Sequence, residues 1–187
     1  GAAYRKRRQT FESVATDPDF KALLYQVRYR DEGSLSWKIL IENLWQPIFV
    51  WDTTSVPDGD YVIAVTASDS LANLPSASLT TQRESTVFTI DNTAPNIELM
   101  PIREEPTNLS LSFVVQDVRS WIEQVEYSLD ASSWVPAHPS DGIFDSQRET
   151  IEITLTPQSS IAEIVVRATD AMNNVGTANV KWRSTEP

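Results

Sequence analysis

The stretch GDYVIAVTASDSLANLP (59–75) decides how the chain is read. Its apolar residues fall on every second position, so Tyr61, Ile63, Val65 and Ala67 share one face of an extended strand. The run ends at Asp69, and Asn73 follows four residues later. About a hundred residues on, IAEIVVRATDAMNNVG (161–176) repeats the pattern. Ala162, Ile164, Val166 and Ala168 alternate, then Asp170 and Asn174 hold the same interval. An Asp-to-Asn loop after an alternating strand therefore occurs twice.

The match extends in both directions. Val27 and Tyr29 answer Val125 and Tyr127, and a Trp follows each pair, Trp37 and Trp134. Asp17 stands before Asp69 at nearly the interval that separates Asp117 from Asp170. Further alternating runs include LLYQVRYR (23–30), LSLSFVVQD (109–117), WIEQVEYSL (121–129) and ETIEITLT (149–156). Pro, Asn and Asp clusters separate them at short intervals, which is the signature of many short strands in an antiparallel sandwich. A repeat of about one hundred residues is the size of one immunoglobulin-type sandwich. The fold expected is all-β: two tandem immunoglobulin-like sandwiches over residues 1–94 and 95–187. They are joined at FTIDNTAPNIEL (88–99), where Pro95 stiffens the entry to the second. Such a short join favours a semi-rigid stalk.

Composition narrows the function classes. The chain has 187 residues, no Cys and a formal charge of −11. Disulfides, zinc–thiolate sites and thiol nucleophiles are thereby excluded. No apolar run approaches the ~18 residues of a membrane helix. The acidic body argues against a nucleic-acid partner, which selects basic faces. Arg5, Lys6, Arg7 and Arg8 form the one basic run, read as a solvated or frayed first strand rather than a phosphate-binding arm. The leading GAA (1–3) reads as a tag remnant and the chain as an excerpt of something longer.

At this point the sequence becomes familiar. ATDPDFKALLYQVRYRDEGSLSWKIL (15–40), FVWDTTSVPDGDYVIAVTASD (49–69) and STVFTIDNTAP (85–95) resemble the fibronectin type III-like modules of large exported bacterial proteins. VEYSLDASSWVPAHPSDGIFDSQRE (125–149) with EIVVRATDAMNNVG (163–176) is similar to the module that follows them. The resemblance covers nearly the whole chain. It implies a periplasmic, cell-surface or secreted setting and a place after a β-propeller-like region. The partners it implies are the other domains of the same chain, a cell-surface protein or a polysaccharide. Two departures stand out. Phe20 and Lys21 follow DPD where the family has Gly and Asp. The family's D-x-x-G-N is DSLAN (69–73) and DAMNN (170–174) here, without its Gly both times.

Three sets of residues are candidates for chemistry. The topology implied by the resemblance brings Asp17 and Asp19 near Asp69 and Asn73, and Asp117 near Asp170 and Asn174. Asp91 and Asn92, in the join, approach the second set. Asp91, Asn92, Asp117, Asp170 and Asn174 are thus candidate oxygen ligands for Ca²⁺ at an interdomain junction. Cadherin-type repeats stiffen their junctions with calcium, and DNTAP (91–95) loosely resembles theirs, although the rest of that ligand set is not in order. Against this stands the turn reading, favoured here, in which each Asp or Asn bonds nearby backbone N–H groups and closes its own loop. No other cofactor is expected. Trp45, Phe49 and Trp51 fall on one face at period 2 and would make a sugar-stacking platform, with core packing as the stronger expectation. Trp37 and Trp134 are expected to cap the two cores.

The enzyme reading is weak. His138 lies in a Pro-rich loop without a nucleophile motif, and Asp141, Asp145 and Glu149 offer only an unordered set of acids for a glycosidase-like pair. The expectation is a non-catalytic spacer or binding platform. A carbohydrate-binding accessory module is the alternative, and a hydrolase domain the remote one.

Overall fold

The computed structural model describes all residues except 1–2, 6–7, 13–14, 16–21, 75, 105–107, 157–160 and 184–187. The chain divides into Gly1–Asn92 and Thr93–Pro187, two residues ahead of the 94/95 boundary expected.

The first unit runs β1 (Ala3–Arg5), β2 (Arg8–Glu12), β3 (Leu24–Asp31), β4 (Lys38–Leu44), β5 (Ile48–Asp52), a 3₁₀ turn (Thr53–Ser55), β6 (Gly59–Ser68), β7 (Thr80–Glu84) and β8 (Phe88–Ile90). One sheet has the order β1-β8-β6-β3-β4, with β7 also on β6, and a second pairs β2 with β5. The last strand of this sandwich is thus split in two. β7 lies against Ala64–Ser68 and β8 against Gly59–Tyr61. Ser85 fills the gap, its N–H donating to the Ile63 carbonyl and its Oγ accepting the Ile63 N–H. The basic N-terminal run is partly placed. Ala3–Arg5 pairs with β8, in parallel, and Arg8–Glu12 with β5, while Lys6 and Arg7 lie outside the described residues.

Tyr61, Ile63 and Ala67 face the core as the alternation predicts, and Val65 is half-buried. With Val27, Trp51, Phe88 and Ile90 they knit the two sheets together. Tyr61 sits at the start of β6 and donates its hydroxyl to the Pro57 carbonyl, four residues upstream, at 2.7 Å. This tyrosine corner satisfies a buried O–H and fixes the turn into the strand, as in immunoglobulin-type sandwiches.

The opposite face of β6 is covered too, since Val62 and Ala64 are also buried. Their register partners are Arg30 and Arg28. Both guanidinium groups lie over the Trp37 ring, at 5.0 Å and 5.6 Å from its centre. Trp37 is therefore no core cap. It is a half-buried plate on the outer face, with the two Arg side chains laid over its ring.

The second unit runs β9 (Asn96–Leu99), β10 (Arg103–Glu104), β11 (Leu109–Gln116), β12 (Ile122–Ser128), β13 (Val135–Ala137), β14 (Arg148–Leu155), β15 (Ile161–Asp170) and β16 (Val175–Arg183). Its sheets are β9 and β10 on β11 with β14, and β13-β12-β15-β16. Leu109, Leu111, Phe113 and Val115 lie beside Ile151 and Ile153 of the neighbouring strand and share one core with Ile164, Val166, Ala168 and Val180 of the other sheet. The side chain of Ala162 lies outside the described set. A β-bulge between Ile122 and Gln124 resets the alternation, so Ile122 and Val125 are both buried and Trp121 is left 41% exposed. Trp134 repeats the Trp37 arrangement, with Arg167 3.9 Å over its ring and bonded through Nε to Glu126 at 2.6 Å.

Each unit is thus an antiparallel two-sheet sandwich with its own core. Among the described residues no helix is long and apolar enough to cross a membrane.

Candidate functional site

Both Asp-to-Asn loops close on themselves. In the first unit Asp69 is 2% exposed. Its Oδ1 accepts from the Leu79 N–H at 2.7 Å and the Ser78 hydroxyl at 3.0 Å, and its Oδ2 from the Asn73 amide at 2.6 Å. In the second unit Asp170 is fully buried. Its Oδ1 accepts from the N–H groups of Met172 and Asn174 at 2.8 and 2.7 Å, and its Oδ2 from the Asn174 amide at 2.7 Å. A buried carboxylate gathers N–H donors because leaving either partner unmade would cost a full desolvation penalty.

The two copies differ where the Gly is missing. Asn173 occupies that position in the second copy and has φ of 63°, the left-handed region that Asn tolerates better than most residues. In the first copy the position is Ala72, which is not among the residues of positive φ. That loop is built instead around a longer return to Leu79, so the same Asp–Asn pairing is reached through a different backbone.

Asp117, 2% exposed, ends β11 and closes the next turn. Its Oδ1 accepts from the N–H groups of Arg119 and Ser120, both at 2.8 Å, and its own N–H donates to the Gln147 carbonyl. Its Oδ2 is buried and takes no hydrogen bond. Asp117 and Asp170 each offer a carboxylate oxygen within 4.8 Å of the other. Asp17 and Asp19, the counterparts in the first copy, lie outside the described residues.

Asp91 is buried at the end of the first unit. Asn92 is tied to the 3₁₀ turn of that unit: its N–H donates to Asp58 at 2.7 Å and its amide to the carbonyls of Thr53 and Val56.

The aromatic platform does not form. Trp45 is 65% exposed, Phe49 is half-buried and Trp51 is 3% exposed, packed edge-on against Tyr61 and Phe88. The alternation holds only within β5, and the bend at Gln46–Pro47 breaks the parity between Trp45 and the strand. What β5 turns outward is Ile48 and Val50. A small apolar hollow is lined by Phe11, Leu44, Pro47 and Phe49, and Trp45 is not part of its lining.

Of the acids offered for hydrolysis, Glu149 and Asp141 are held by N–H groups of their own loop. Glu149 is buried and accepts the N–H groups of Ser146 and Asp145. Asp141 is exposed and accepts from Ile143. His138 is exposed, its ring 6.4 Å from that of Phe144. The sequence reading passed over Asp130, in the turn LDASSW (129–134). It collects the N–H groups of Ser133 and Ser132 and the Ser133 hydroxyl, which hold its carboxyl well below the usual carboxylate range. The signal was present, an Asp followed by two Ser in a hairpin turn.

No family model matches the chain, and no curated protein does. Among solved structures it is similar to the FN1–FN3 domains of chicken CNTN1, at 13% identity and a TM-score of 0.41. The match covers 98% of this chain and 63% of that one, so the chain spans under two thirds of its neighbour. At that identity no residue, ligand or partner transfers. The fold, read from its own sheets, is all-β and built of several mainly antiparallel sheets.

Proposed function

We propose that the chain is a non-catalytic structural and interaction module, a spacer or binding platform within a larger exported bacterial protein. Its setting would be the periplasm, the cell surface or the medium. Its partners would be neighbouring domains of the same polypeptide, a β-propeller among them, and a cell-surface protein or polysaccharide. One observation carries this reading. The polar side chains that chemistry would need, Asp69, Asp170, Glu149 and Asn92, are committed to backbone and loop donors or acceptors in their own units. The experiment is an exchange. Residues 1–187 of the parent protein are replaced by an unrelated pair of sandwiches of equal length. A spacer survives the exchange, and a platform loses its partner. Hydrolysis of chromogenic esters or glycosides by the chain, abolished in His138→Ala, would overturn the non-catalytic reading.

The second reading, a carbohydrate-binding accessory module, is favoured by Trp45, whose ring is left exposed. It requires that soluble polysaccharides quench the intrinsic fluorescence and that Trp45→Ala abolish the quenching. A response unchanged in that variant removes it.

A further inference from the structure

The carboxylate oxygens of the second unit can be counted against their donors. An ionised carboxylate has about four lone-pair sites. Asp170 fills three, with the two N–H groups and the amide of its loop. Asp117 gathers two N–H groups and the Ser120 hydroxyl on its Oδ1 and leaves Oδ2 bare, in a residue only 2% exposed. Neither carboxylate makes an ion pair with a Lys or Arg among the described residues. A buried carboxylate oxygen with no donor is costly, and a second buried carboxylate beside it raises that cost further by like-charge repulsion. Something positive must meet it.

From this we propose that Asp117 and Asp170 share a hard divalent cation, Ca²⁺ by preference. The separation suits the ion. Two oxygens bound to one Ca²⁺ at 2.3–2.6 Å stand no more than about 5 Å apart, and these lie within 4.8 Å. The unmet valences are Oδ2 of Asp117, just after β11, and the remaining site of Asp170, the last residue of β15. Each carboxylate is held rigidly by its own turn, so the ligands are pre-positioned. Two carboxylates are a modest ligand set, with water completing a sphere of six to eight oxygens, which places affinity at about 10⁻⁴–10⁻³ M, the range of extracellular modules. Mg²⁺ is the poorer fit, because it demands a regular octahedron and sheds water reluctantly. The proposal is independent of the spacer reading, which stands with or without a metal.

Terbium is the probe, since it takes calcium sites and is sensitised by a nearby indole. Trp121 is well placed to supply it, because its carbonyl accepts the Ala171 N–H beside Asp170. Terbium added to the intact chain is expected to give sensitised emission that millimolar Ca²⁺ displaces. Asp117→Asn keeps an Oδ1 acceptor for the turn and is expected to lower the emission at least tenfold. Asp69→Asn, in the closed loop of the first unit, is expected to leave it unchanged. Calcium is also expected to raise the melting temperature of the unaltered chain and not that of Asp117→Asn. Where Asp117→Asn fails to fold, Asp117→Ser, which retains a turn acceptor, replaces it. No displaceable emission and no calcium-dependent shift in melting would overturn the proposal. Emission undiminished in the folded position-117 variant would overturn it as well.

Discussion

Asn173 shows how much one backbone angle can decide. A left-handed φ costs an ordinary L-residue about 1–2 kcal/mol, less for Asn, whose short polar side chain bonds locally. Asn173→Ala is therefore expected to lower the stability of the second unit by about 1 kcal/mol, and Asn173→Gly to hold or raise it, read as shifts of the urea midpoint. Asp130 makes a prediction in pH. Its folded carboxyl is held below the unfolded value of 3.8. Its contribution to stability is thus present above that value and is lost as pH falls through the folded one. A carboxyl-carbon NMR titration should find Asp130 still ionised after the other exposed acids have protonated.

At the scale of elements, alternation was legible and its interruptions were not. The strand over 61–67 and its echo at 164–168 could be read because a period of two needs only local sequence. Trp45 and Trp51 show the limit. Counting by two puts both on one face, yet the bend at Gln46–Pro47 resets the count, and only Trp51 is inside. The bulge at Ile122–Gln124 does the same to β12. Trp37 and Trp134 are not core caps because their partners, Arg28, Arg30 and Arg167, come from other strands of the same sheet, which no single strand reveals. The Asp117–Asp170 pairing was legible through the repeat, whereas the bare Oδ2 was not, since it depends on which donors the turn aims inward. Gly176 carries the prediction at this scale. A Cβ there would stand 1.9 Å from the Pro95 carbonyl oxygen, which β16 and the approach to β9 bring together. Gly176→Ala is expected to destabilise the second unit by about 1–3 kcal/mol, measured by chemical denaturation.

At the scale of the whole molecule, two cores in one chain mean two folding problems. Neither hydrophobic cluster takes a residue from the other unit. Trp51→Ala should cost the first unit about 3–5 kcal/mol. Residues 93–187 should keep their native amide resonances under conditions where that variant has already lost those of Val27 and Phe88. The two units also finish their sheets differently. β1 lies in parallel along the outer side of β8, a strand of three residues buried on both faces. An uncovered strand edge is a template for another chain, and natural sandwiches take pains to blunt theirs. Ala3–Arg5 covers that edge and becomes the last strand of the sheet in its place. A chain that lacked this strand would present β8 itself as the selvedge, a border of Phe88 and Ile90 on which a neighbouring copy would find a place to pair.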